Sequence, residues 1–149
     1  GVGAPALLAA AIRELWEEAG LVLGRPGAWA GTPPPDWAGF AATGHVPDAG
    51  AFRFVFRAVT PPGRPRRFDA RFFAVPAEAV RGDPQDFSRA TEELSHLRWL
   101  PLAAARQADL PFITELVLAE IAPVLGQAGA PPVPFVLHDD IGAGIRRLP

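Results

Sequence analysis

The stretch Arg13-Glu14-Leu15-Trp16-Glu17-Glu18-Ala19-Gly20-Leu21 puts three carboxylates within five residues, just ahead of a glycine. Glu14 and Glu17 are three apart and Glu14 and Glu18 four apart, the spacings that make neighbours on a helical surface. Their oxygens repel one another unless a cation is shared. A hard divalent ion such as Mg²⁺ takes oxygen ligands in octahedral geometry, keeps several waters and completes its shell with substrate phosphates. Cysteine is absent, so carboxylates and imidazoles are the candidate metal ligands. Arg13 stands four residues before Glu17, where a charge-assisted hydrogen bond can fix that carboxylate for ligation. Taken alone, a trio of helical glutamates reads as a solvated face at roughly four to one.

The elements that must position this trio follow from periodicity. Leu8, Ile12, Leu15 and Ala19 recur at helical spacing and predict an amphipathic helix over Ala6–Ala19, with Gly20 as its left-handed cap. Leu21-Val22-Leu23 predicts a strand, and the Gly- and Pro-dense stretch from Gly24 to Pro35 a loop. Asp36 caps a short helix through Ala42, with Trp29, Trp37 and Phe40 packing this insert on the body. Alternation over Ala51–Thr60 and Arg66–Val75, broken by Pro61-Pro62-Gly63-Arg64-Pro65, predicts an antiparallel hairpin. Asp83–Arg89 reads as loop, Leu94–Leu100 as strand, Pro101–Ala108 as a short helix and Pro111–Leu125 as a longer one. From Gly126 the chain is rich in glycine and proline around one apolar run, Val133–Leu137.

The segment Arg13–Leu21 resembles the second half of the Nudix box, G-x5-E-x7-R-E-U-x-E-E-x-G-U with U aliphatic, at every specified position. A chance match in such a chain is on the order of one in 10⁵. The first half departs from the pattern, because its glutamate falls on Pro5 and its glycine before residue 1. One branch of the family, which includes coenzyme A diphosphatase-like members, carries an insertion inside the box at this place. Val59–Phe73 looks like that branch's "TP…RFDT.FF" hairpin, with Ala70 in place of the usual threonine. Glu92–Leu102 is similar to the family region in which an acidic residue precedes a strand of the form "E…RW".

The resemblance implies an α+β fold, a Nudix-type α/β/α sandwich around a mixed sheet, with its N-terminal strands missing from this chain by deletion or by disorder. It implies one domain over 1–149, with 126–149 as a C-terminal extension. It further implies a pyrophosphohydrolase that cleaves a nucleoside diphosphate linked to another moiety by attack of water on phosphorus. A coenzyme A-like or nucleotide-sugar substrate is expected, with Mg²⁺ or Mn²⁺ as cofactor. Glu17 and Glu18 are the expected ligands, Glu14 is a ligand or the general base, and Glu92 or Glu93 is the alternative base. Arg13 takes a positioning role. Among Arg64, Arg66, Arg67 and Arg71, the pair Arg66 and Arg67 is the candidate grip on substrate phosphates, against the commoner role of solvating a turn. The alternative function is a nucleotide-sensing domain without turnover, against which the intact glutamate set weighs.

Bulk composition narrows the classes. A chain of 149 residues with 49% hydrophobic and 20% charged residues is a globular composition sized for one domain. A net charge of −2 supplies no basic footprint for a nucleic acid, and no uncharged apolar run is long enough to span a bilayer. The first residues lack the basic region of a signal peptide, so the expectation is a cytoplasmic protein, with homodimerisation implied by the family. His45, His96 and His138 lack ligand spacing and read as surface or packing residues, with His138-Asp139-Asp140 as a polar turn.

Overall fold

A computed structural model describes residues 3–92, 94, 96–126, 132–139 and 142–148. The fold is α+β, and the chain divides into two compact units, Gly1–Phe52 with Val75–Trp99, and Arg53–Ala74 with Leu100–Pro149. Each is described by itself.

In the first unit, helix α1 (Ala4–Ala19) starts with Pro5 in its opening turn, where a missing N–H leaves no bond unmade. Ile12 and Ala19 are buried, and Leu15 and Trp16 pack against the cluster that contains Ile12. The expected strand at Leu21–Leu23 does not form. The tripeptide is buried, but its pairing is limited to an isolated antiparallel bridge from Val22 to Arg81 and one hydrogen bond from Asp48 N–H to Leu23 O at 3.3 Å. Regular pairing begins one residue later, inside the stretch expected to be loop: β1 (Gly24–Pro26) runs antiparallel to β2 (His45–Pro47). Between them, a 3₁₀ turn (Pro35–Trp37) leads into the single turn α2 (Ala38–Ala41), and Asp36 lies within that turn instead of capping a helix. Phe40 is fully buried with Ile12, Val22 and Leu23, and Trp29 and Trp37 pack against this cluster as expected. The rings of Trp16 and Trp37 both meet Phe40 edge-on, at 6.0 and 5.4 Å between centroids.

The second unit is built on the expected hairpin, β3 (Arg53–Val59) and β4 (Asp69–Ala74). An irregularity between Phe54 and Phe56 breaks strict alternation, so the consecutive residues Val55 and Phe56 are both buried. After the short α3 (Leu102–Ala105), helix α4 (Phe112–Ile121) packs Ile113, Leu116, Val117 and Ile121 against Val55, Phe56, Ala58 and Val136. The segment after Gly126, read from sequence as an extension, supplies half of the sheet. Strands β5 (Val133–Asp139) and β6 (Gly142–Leu148) form a hairpin that completes the order β4-β3-β5-β6, with β3 and β5 parallel. His138 and Asp139 end β5 instead of forming a turn, and Asp140 lies outside the described residues.

The strand expected over Leu94–Leu100 is absent from its described residues. His96 adopts a left-handed φ of 59°, which breaks an extended run, and Trp99 donates its Nε1–H to Pro84 O at 2.8 Å, tying down a loop. Among the described residues no helix is long and apolar enough to cross a membrane.

Asp69 is gripped by two arginines. Arg57 donates through Nε and an Nη at 2.8 Å each, and Arg71 donates at 3.0 Å. The Arg57 hydrogen bonds hold the Asp69 carboxyl below its ordinary value of 3.8. A depressed folded-state pKa contributes stability that is present above the unfolded value and lost as pH falls through the folded one. Asp69→Asn should therefore lower Tm at neutral pH, and its difference from the parent should shrink once pH falls below 3.8. A chain ended at Leu125 should be destabilised by more than ~3 kcal/mol, the burial of Val133 and Val136 alone, in a denaturant titration.

Candidate functional site

The end of α1 is fixed by steric necessity. Gly20 sits at φ 71°, ψ 9°, and its N–H closes the helix on Trp16 O at 2.9 Å. A Cβ there would stand 2.7 Å from Arg89 Cβ and 2.9 Å from Arg89 C, so residue 20 needs both a left-handed backbone and an empty side. Arg89 in turn extends its guanidinium toward the Trp16 ring, 6.0 Å from the centroid. Arg81 secures the segment that follows, its backbone N–H donating to Val22 O at 2.9 Å and its Nε–H to Gly24 O at 2.8 Å. These contacts hold the exit of the helix and with it the rotation of α1 about its axis.

That rotation turns Arg13, Glu14, Glu17 and Glu18 away from the buried positions Ile12 and Ala19. Arg13 is their centre. It donates to Glu14 Oε1 at 2.9 Å and to Asp36 Oδ2 at 3.3 Å. The hydrogen bond expected from Arg13 to Glu17 is not made. Its Nε lies 3.6 Å from Glu17 Oε1, an ion pair too long for a hydrogen bond, and this Nε is shut off from solvent with no hydrogen-bond partner. The Glu14 hydrogen bond foremost, then the Glu17 charge, make the guanidinium harder to deprotonate than usual. Glu14 is exposed, while Glu17 and Glu18 are half-buried.

The donor chemistry suits a hard cation, since three carboxylates project from adjacent turns of one helix and two of them already attend a single positive charge. Glu14 and Glu17 turn toward the guanidinium, and among the described residues no three acidic or imidazole side chains are gathered closely enough to hold a metal. Gathering them requires rotation about side-chain bonds at one exposed and two half-buried positions and leaves the helix backbone unchanged.

Of the other candidates, Glu92 is exposed in a turn, with no hydrogen bond or ion pair to the helical glutamates among the described residues, and Glu93 lies outside them. Arg66 and Arg67 occupy the exposed turn of the β3–β4 hairpin in the second unit, where Arg67 Nε donates to Thr60 O at 3.4 Å. His45 is held by Thr43, through its side chain at 3.1 Å and its carbonyl at 2.9 Å, as a packing residue would be. Sequence reasoning missed the partnership of Asp36 with Arg13, which no local spacing announces across 23 residues. It missed equally Arg81 and Arg89, whose loop carries no periodic signal. Compared with protein-family models, with curated proteins and with solved structures, the chain matches none.

Gly20→Ala should cost about 2–4 kcal/mol, summing left-handed strain and the overlap with Arg89. Denaturant unfolding measures it, and a loss below ~1 kcal/mol would show that the Arg89 loop yields freely.

Proposed function

We propose that this chain is a Nudix-type hydrolase: a metal-dependent pyrophosphohydrolase acting on a nucleoside diphosphate linked to another moiety, coenzyme A-like or a nucleotide sugar. The observation that carries the reading is the single helix that bears Arg13, Glu14, Glu17 and Glu18 and ends at a left-handed Gly20 followed by buried Leu21. The pattern R-E-U-x-E-E-x-G-U asks for that cap and that buried aliphatic residue as much as for the glutamates. The β3–β4 hairpin over the "RFDARFF" stretch supports the coenzyme A diphosphatase-like branch.

Glu17 and Glu18 would hold Mg²⁺ or Mn²⁺, with Glu14 as a third ligand or as the base. When bound, such an ion neutralises diphosphate charge and acidifies water. The chain's own groups do the rest. A carboxylate, Glu14 on the helix or Glu92 or Glu93 beyond it, accepts the proton of the attacking water. Arg13 limits the rotamers of Glu14 and Glu17 and relieves their mutual repulsion. Arg66 and Arg67 are placed on an exposed turn, where a guanidinium fork can grip phosphate oxygens.

The test is product release from coenzyme A, ADP-ribose, NADH and nucleoside triphosphates, with Mg²⁺, with Mn²⁺ and with chelator. Glu17→Gln should reduce metal-dependent turnover by at least ~100-fold while leaving the circular dichroism spectrum unchanged. Undiminished turnover would remove Glu17 from the ligand set. Metal and nucleotide binding without turnover in the parent chain would favour a nucleotide-sensing domain instead.

A further inference from the structure

The second unit contains a cavity of about 480 Å³ lined by residues of that unit. Its origin lies in strand register. Ala70 on β4 pairs with Ala58 on β3, and Ala58 pairs with Val136 on β5, which lays a row of small side chains across three adjacent strands. Helix α4 crosses this region only with its first residues, so Ile113 and Phe72 wall the space without filling it. A volume of this size lies within the range of small-molecule sites, ~300–1,000 Å³.

The rim has a definite chemistry. Phe68 and Phe112 line the cavity yet remain 63% and 76% exposed, two large apolar rings with little cover. Arg64 lines it as well, is exposed, and among the described residues is engaged by no hydrogen bond or ion pair. Among the described residues, none that lines the space is acidic. The Thr60 hydroxyl accepts the Phe68 N–H at 2.9 Å and keeps its own hydrogen to donate. An apolar interior entered past a cation and a hydroxyl donor complements a molecule with a hydrocarbon body and a single anionic head.

From these features we infer that the cavity between the β3–β4 hairpin and the start of α4 binds an aliphatic carboxylate. Its chain lies over Ala58 and Ala70, and its head group meets Arg64 and Thr60. The inference stands independently of the hydrolase reading, because every residue it uses belongs to the second unit.

Titration calorimetry with decanoate should show one saturable site per chain, and decyltrimethylammonium, with the same tail and the opposite charge, should not bind. Arg64→Glu, in an exposed turn, should weaken decanoate by about tenfold or more, the loss of one charge-assisted hydrogen bond. Ala70→Leu, which fills the floor, should abolish binding while circular dichroism remains that of the parent. Equal binding of both amphiphiles, or decanoate affinity unchanged in Arg64→Glu, would overturn the assignment. So would sedimentation showing a dimer that Phe112→Ser dissociates, because the two rings would then be covered by a second copy of the chain.

Discussion

The backbone at Gly20 is left-handed where a neighbouring loop leaves no room for a β-carbon, and much of the first unit is organised around that one position. Because α1 must stop there, the chain must turn at once into Leu21-Val22-Leu23, which is buried and met by Arg81. Burial of Val22 and Leu23 in one cluster with Ile12 and Phe40 fixes which stripe of α1 faces inward. The polar stripe is left with Arg13 and the glutamates. Chemistry and packing are thus coupled through a single turn at the end of the helix.

Charge is arranged by a similar device in both units. Arg13 attends Glu14, Glu17 and Asp36, while Asp69 is attended by Arg57 and Arg71. All of these side chains retain substantial contact with water, where ion pairs are screened and contribute little to stability. Their larger effect is on orientation. Around Arg13, the helical carboxylates of Glu14 and Glu17 and that of Asp36 from outside the helix leave an excess of negative charge. On the hairpin, the excess is positive, and the Arg57 guanidinium also lies 4.5 Å from the centroid of the Phe135 ring.

Sequence pattern revealed the elements whose evidence is local. The apolar spacing of Leu8, Ile12, Leu15 and Ala19 marked α1, the glycine after it marked its end, and the alternation on either side of Pro61-Pro62-Gly63 marked the β3–β4 hairpin. It also located α3 and α4 to within a few residues. Elements whose evidence is a distant partner were hidden. β1 is three residues of glycine, arginine and proline whose strand character comes wholly from β2. β6 carries two glycines and two arginines and reads as loop until β5 is beside it. Conversely, Leu94–Leu100 has strand composition, but the left-handed turn at His96 and the anchoring of Trp99 on Pro84 override it. In the candidate site the glutamates and Arg13 were legible from spacing, whereas Asp36 joins them only through tertiary structure.

The parallel pairing of β3 with β5 has a consequence for how the chain is made. Each unit is assembled from two separated stretches, and the stretches alternate along the sequence. As synthesis proceeds, the β3–β4 hairpin is complete long before β5 exists, so the β3 edge that β5 will occupy has its hydrogen-bonding groups open in the interval. Contacts of such long sequence separation form slowly, since a long loop must close first. The nascent chain therefore passes through a stage with an unpaired, aromatic-rich strand edge, a natural target for chaperones and for mispairing with another copy.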